Sequence, residues 1–284
     1  MSSTLKASLF FIALLAGLTW AFSFLYEQDT SGVSRTDNGL IKYYGQIDEA
    51  RVDEFKRLYQ RGDRLEIRST GGDLYAGMEM GKFISEQKIP LEVKDYCISS
   101  CANYVFLASP RKVLNERALV IFHGGPKQRN FLAQLERAYT EDNPAGTSYG
   151  RESYEAVVSV SEANRRARYA NRYNSGGNRC KEGLIRNMFG DCTRPSEAAK
   201  QRYNHLVKLE EDLYSSIDPF MDINIPYYGQ LGRYIDTYQS YEFFGFYYDL
   251  ESLARLGVKG IELKSGEWAP ERNPLFKDVY LVEM

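Results

Sequence analysis

Two rhythms of apolar residues alternate along the first half of this chain. Leu65 and Ile67 in RLEIRS, and Leu91 and Val93 in LEVKD, alternate with charged residues, the period-two spacing of a strand. LIKYYGQID and ALVIFHGG have the same strand-like character. Between these runs, EARVDEFKRLYQRG puts Val52, Phe55, Leu58 and Tyr59 on one helical face and stops at Gly62. GGDLYAGMEMGKFISEQ reads as a glycine turn followed by a helix, and SCANYVFLAS as a short apolar helix. Strands alternating with helices predict an α/β fold, with a largely parallel sheet and crossover helices on its faces.

The texture changes further on. Residues 127–216 carry loop segments, TEDNPAGTSYG and NSGGN, between polar stretches rich in Arg, Glu and Tyr. Within them AAKQRYNHLVKLEEDLY places Ala199, Tyr203, Leu206, Val207, Leu213 and Tyr214 at helical spacing, so one face should dock. In residues 217–284, DLESLARLGVKGIEL predicts an Asp-capped helix, a stop at Gly257 and a closing strand. The chain thus reads as a core in two parts, 40–126 and 217–284, around a helical insertion at 127–216.

At the other end, residues 1–6 precede an uncharged, mostly apolar run from Ala7 to Tyr26. About twenty such residues suffice for a helix to cross a bilayer. Lys6 before the run, with Glu27 and Asp29 after it, favours a cytoplasmic N-terminus and an exported remainder. Residues 27–39 then read as a linker. An uncleaved anchor is the preferred reading; cleavage near Ala21-Phe22-Ser23 would instead release the chain to the periplasm.

Composition removes some functions. A net charge of −2 offers no general attraction for nucleic acid, whose binding rests on neutralised phosphates. Cys97, Cys101, Cys180 and Cys192 are an even set in a chain read as exported, where disulfides persist. Three pairings are possible, and proximity points to 97 with 101 and 180 with 192. No Cys-x-x-Cys pair occurs, and His123 and His205 are far apart in sequence, so no metal is expected.

Candidate chemistry lies in STGGD at 69–73, SSC at 99–101 and FHGG at 122–125, each at the end of an expected strand. In parallel sheets the carboxyl ends of strands surround the functional crevice. A serine needs a base in hydrogen-bond reach, which His123 can supply. The Gly71-Gly72 turn and the first amide of the following helix can hold an oxyanion. Separately, each motif reads more simply as a turn, a helix cap or a core histidine. Their joint order carries the hydrolase reading.

In that order the residues resemble the superfamily of the Clp protease proteolytic subunit, signal peptide peptidase and crotonase, over about Leu40–Pro126 and Leu250–Leu263. CISSCANYVFLAS followed by VIFHGG looks like exported members in which cysteines bracket the serine. The resemblance implies a serine peptidase that needs no cofactor, acts on peptide or protein, and forms homo-oligomers. Ser100 lies nine residues before Ser109, the interval from nucleophile to helix end in the family, which assigns Ser100 as nucleophile and the Gly72 and Cys101 amides as the oxyanion hole. A count from Cys97 in relatives reading C-x-S-x-C selects Ser99 instead. Helix register favours Ser100.

The family's aspartate falls here on Gly245. Glu242, Asp249, Asp218 and Asp222 lie nearby in sequence, but Asp249 reads as a helix cap, so the third acid is unassigned. That gap leaves a noncatalytic binding or scaffold protein as the alternative. Acyl-CoA chemistry of the crotonase kind is a further rival, disfavoured by an exported address.

Overall fold

The computed structural model describes residues 31–128, 131–132, 196–240 and 242–284. The apolar N-terminal run, Cys180, Cys192 and the insertion's first loops lie outside the described residues. Among those described, no helix is long and apolar enough to cross a membrane.

The parallel sheet expected from the alternating pattern is present. Strands β1 (Gly32–Arg35), β2 (Leu40–Tyr44), β3 (Arg64–Ser69), β4 (Leu91–Ile98), β5 (Lys112–Leu114), β6 (Leu119–Ile121) and β8 (Ile261–Leu263) form one seven-stranded sheet. Its order is β1-β2-β3-β4-β5-β8, and every pairing except β1 with β2 is parallel. β4 is long enough to take two partners in succession: Leu91–Val93 pair with β5, and Tyr96–Ile98 pair with β6. The carboxyl end of β4 therefore lies between those of β3 and β6. β7 (Gly245–Tyr247) and β9 (Val279–Leu281) form a separate parallel pair, and β7 reaches the main sheet through the Phe122–Phe246 bridge.

One expectation is corrected here. Gly32–Arg35, read as part of the linker, is an edge strand, because the chain reverses at Thr36–Gly39 and Thr36 exchanges hydrogen bonds with Leu40. Gly39, at φ 73°, closes that turn. The compact unit consequently begins at Gly32 and runs to Met284.

The helices follow their caps. Asp48 accepts from Arg51 N at the start of α1 (Glu49–Leu58), which buries Val52 and Phe55. Asp73 accepts from Ala76 N at the start of α2 (Leu74–Gln87), and Lys88 ends that helix in the left-handed region. α3 (Glu197–Ile217) buries Ala199, Leu206, Leu213 and Tyr214, as the helical spacing predicts, but also buries Glu210. Asp249 caps α5 (Leu250–Arg255), after the short α4 (Ile235–Gln239).

The segment after β4 departs from the ordinary helix expected of it: Cys101–Phe106 is a π-helix whose six residues are all buried. It lies against α2 at two glycines one turn apart. A Cβ on Gly77 would stand 2.9 Å from Ser100 Cβ, and one on Gly81 would stand 2.5 Å from the Tyr104 carbonyl oxygen. Only hydrogen fits there. Gly81→Ala should therefore destabilise the protein by about 1–3 kcal/mol, despite the gain of about 1 kcal/mol in helix propensity. Denaturant unfolding checks this; equal or greater stability would show that the helices separate at no cost.

Candidate active site

Three distant motifs meet at the carboxyl edge of the sheet. A Cβ on Gly71 would lie 2.4 Å from Ile98 O, 2.7 Å from Ser99 Cβ and 2.9 Å from Ser100 N, so the glycine turn after β3 is pressed against the serines after β4. Ser99 N donates to Ile121 O at 2.9 Å, which ties those serines to the strand that leads to His123. Asn103 completes the link: its backbone N–H donates to Ser99 O at 2.8 Å, and its side-chain Nδ2 donates to Gly124 O at 2.8 Å.

The two serines are in opposite situations. Ser100 is fully buried, its side chain faces α2 at Gly77, and its hydroxyl carries no hydrogen bond. No Ser100–His123 hydrogen bond forms. Ser99 is half-buried and has φ 59°. Lys88 at a helix end is the only other non-glycine described residue with positive φ. A serine costs about 1–2 kcal/mol in that region, and such strain concentrates at functional sites.

The π-helix separates the two ways of counting. A π turn takes one more residue than an α turn over the same stretch, so a count back from Ser109 to Ser100 crosses a segment that an α-helical count does not describe. The count from Cys97, which does not cross the π turn, arrives at Ser99. Cys97 and Cys101 are bonded to each other with Cα atoms 5.3 Å apart, joining the end of β4 to the first residue of the π-helix across both serines. Both cysteines are fully buried.

The amides that could meet an oxyanion are on the Gly71-Gly72 turn and at the helix start. Gly71 N is engaged by Ser69 Oγ at 3.0 Å, whereas Gly72 and Ser100 N–H donate to no backbone carbonyl among the described residues. Gly72, at φ 149°, approaches so closely that a Cβ would lie 2.3 Å from Ile47 O. The amide directly after Ser99 is that of Ser100; the Cys101 amide, selected by the Ser100 assignment, is one residue further into the helix.

His123 is half-buried, and its carbonyl accepts from Gln230 Nε2 at 2.6 Å. Gly245 does lie beside it: a Cβ there would be 3.6 Å from His123 Cβ, but 2.6 Å from Ile121 Cγ2 and 2.7 Å from Phe122 O. The site therefore has no room for a side chain at 245. The other acids are engaged elsewhere. Asp249 caps α5, Asp218 accepts from Lys259 and Phe220 N, Asp222 accepts from Tyr228 and Asn224, and Glu242 is exposed. His205 is exposed on α3, its ring 5.9 Å from that of Tyr75. Among the described residues no cluster of His, Cys, Asp and Glu could hold a metal.

Sequence reasoning missed Asn103, Gln230 and Glu210. The signal for Glu210 was a carboxylate in the otherwise apolar stripe of Leu206, Leu213 and Tyr214. It is fully buried and accepts from Tyr104 OH at 2.9 Å and Tyr227 OH at 2.6 Å. Burial raises its pKa to about 7, against the lowering effect of the two tyrosines and Lys127, with Glu211 adding a smaller upward push. Burial likewise holds Tyr104, Tyr214 and Tyr227 above the ordinary tyrosine range, so they remain donors.

No family model matches this chain, and no curated protein does. Among solved structures it is similar to a mutant of ClpP1 from Listeria monocytogenes, at 18% identity over 31% of this chain and 57% of that one, with TM-score 0.27. ClpP1 from the same organism matches at 17% identity over 47% and 72%, with TM-score 0.28. A mutant of the 1510-N membrane-bound stomatin-specific protease matches at 16% over 48% and 63%, again with TM-score 0.28. The chain thus spans little more than half of the first of these, and TM-scores this low carry no argument about its chemistry.

Glu210 makes stability depend on pH. Between about pH 4.5, where a free glutamate loses its proton, and about pH 7, the folded state retains a proton that the unfolded chain has released, so stability falls as pH rises through that window. At about 1.4 kcal/mol per pH unit the loss is on the order of 3 kcal/mol. In thermal melts the stability of wild type relative to Glu210→Gln should fall as pH rises from about 4.5 to about 7 and change little above that. A wild-type minus variant difference that does not change with pH would show that Glu210 titrates normally.

Proposed function

We propose that this protein is a serine hydrolase, acting on a peptide or protein substrate, with a Clp/crotonase-like core. Ser99 is the nucleophile. The observation that carries the reading is the left-handed backbone of a half-buried serine where a parallel strand enters a helix, beside a double-glycine turn and the strand that delivers a histidine. That conformation lifts the serine out of the helix and directs the next amide to the same side, the geometry of a nucleophile elbow. Ser99 Oγ attacks the substrate carbonyl as His123 takes its proton; the Gly72 and Ser100 amides bind the oxyanion; His123 then returns the proton to the leaving group. No cofactor enters this scheme.

The glycine at 245 leaves the third acid unassigned, and the oxyanion hole and binding still contribute to serine chemistry where an orienting acid is missing. It also favours the second reading, a noncatalytic scaffold that retains the core. The exported address rests on the apolar run at 7–26, and the Cys97–Cys101 bond suits an oxidising compartment. Membrane anchoring and homo-oligomerisation belong to the same proposal.

A fluorophosphonate probe separates the readings. Wild type and Ser100→Ala should both label, while Ser99→Ala and His123→Ala should lose labelling at least a hundredfold. Labelling that survives in Ser99→Ala overturns the assignment, and a wild type that never labels supports the scaffold.

A further inference from the structure

Glu210 belongs to a helix that contributes no residue to the chemistry proposed above, yet its two oxygens reach both halves of the site. Oε1 accepts from Tyr104 OH, five residues after Ser99 in the π-helix, and Oε2 accepts from Tyr227 OH. Tyr227 OH in turn accepts from Lys127 N at 3.3 Å. A Cβ on Gly125 would lie 2.7 Å from Tyr227 OH and 2.9 Å from Glu210 Oε1, so the turn after His123 rests directly on this pair. The neighbouring Tyr214 OH donates to Asn103 O at 3.1 Å, a second tie from the same helix to the π-helix. Lys127 Nζ lies 3.9 Å from Oε2.

A packing role does not call for a carboxylate here. Leu206 and Leu213 fill the same stripe with apolar side chains, and burying an acid costs free energy that a leucine would not. What a carboxylate adds is two directed acceptors on one rigid group, each taking a hydroxyl from a different segment.

We infer that Glu210 is a positioning residue that sets the spacing of the Ser99 helix and the His123 turn by holding Tyr104 and Tyr227 at once. This rests on the hydrolase reading for its effect on rate, but not for its effect on structure. A glutamine in the same place accepts one hydroxyl well and leaves the other tyrosine to re-aim. The site then loses alignment while the fold keeps its shape; misplacement on the ångström scale is worth up to about a hundredfold in rate.

The test uses full-length wild type, Glu210→Gln and Tyr227→Phe at pH 8, with fluorophosphonate labelling rate, thermal stability and amide hydrogen exchange measured together. Glu210→Gln should melt no lower than wild type, since it removes a buried charge, and should label at least tenfold more slowly. Tyr227→Phe should label about threefold more slowly. In Glu210→Gln, exchange should rise together at 101–106 and 124–127. An unchanged labelling rate, a slowing only in proportion to lost stability, or faster exchange in one segment alone would overturn the inference. If Ser99→Ala labels like wild type, the hydrolase reading fails, and the paired rise in exchange decides the coupling by itself.

Discussion

A chain that leaves a central parallel strand and enters a buried helix within two residues must turn sharply, and here one non-glycine residue takes the whole turn. Ser99 does so with a left-handed backbone, which persists because its surroundings over-determine it. Its N–H is bound to Ile121 O, its carbonyl accepts from Asn103 N, and the Cys97–Cys101 bond closes over it. The packing around the site follows from this junction: Ser100 is driven into the core against Gly77, and Ser99 Cβ and the Ser100 amide lie against the glycine turn at Gly71.

The same junction explains how much was legible in the sequence. The sheet and its crossovers were readable because Leu65, Ile67, Leu91 and Val93 alternate with charges, Val52, Phe55, Leu58 and Tyr59 share one helical face, and Asp249 stands at a helix start. The convergence of the glycine turn, the serines and the histidine strand followed from strand order alone. The π turn was not readable, because it uses common apolar residues and leaves no mark in a helical pattern. The edge strand Gly32–Arg35 was hidden by its polar, glycine-containing composition, and β7 and β9 by their length of three residues each.

The site also has a cost that an ordinary core would avoid. Glu210, Asn103 and Ser100 are all fully buried polar groups around the π-helix, where apolar residues would pack with less penalty. Asn103 and Glu210 turn that penalty into directed hydrogen bonds that join the two sides of the crevice. Gly245 shows the opposite economy, since Ile121 and Phe122 close the space beside His123 and leave the imidazole without a carboxylate at that position. The site is thus braced through its backbone and its neighbouring tyrosines.

The central claim is that Ser99, and not its neighbour, presents its oxygen to the crevice. Tandem mass spectrometry of the fluorophosphonate-treated protein, applied to the tryptic peptide Asp95–Arg111, tests it by locating the phosphonyl group. The account predicts fragment ions that place the added mass on Ser99. Added mass on Ser100 would contradict the backbone geometry on which the site is built.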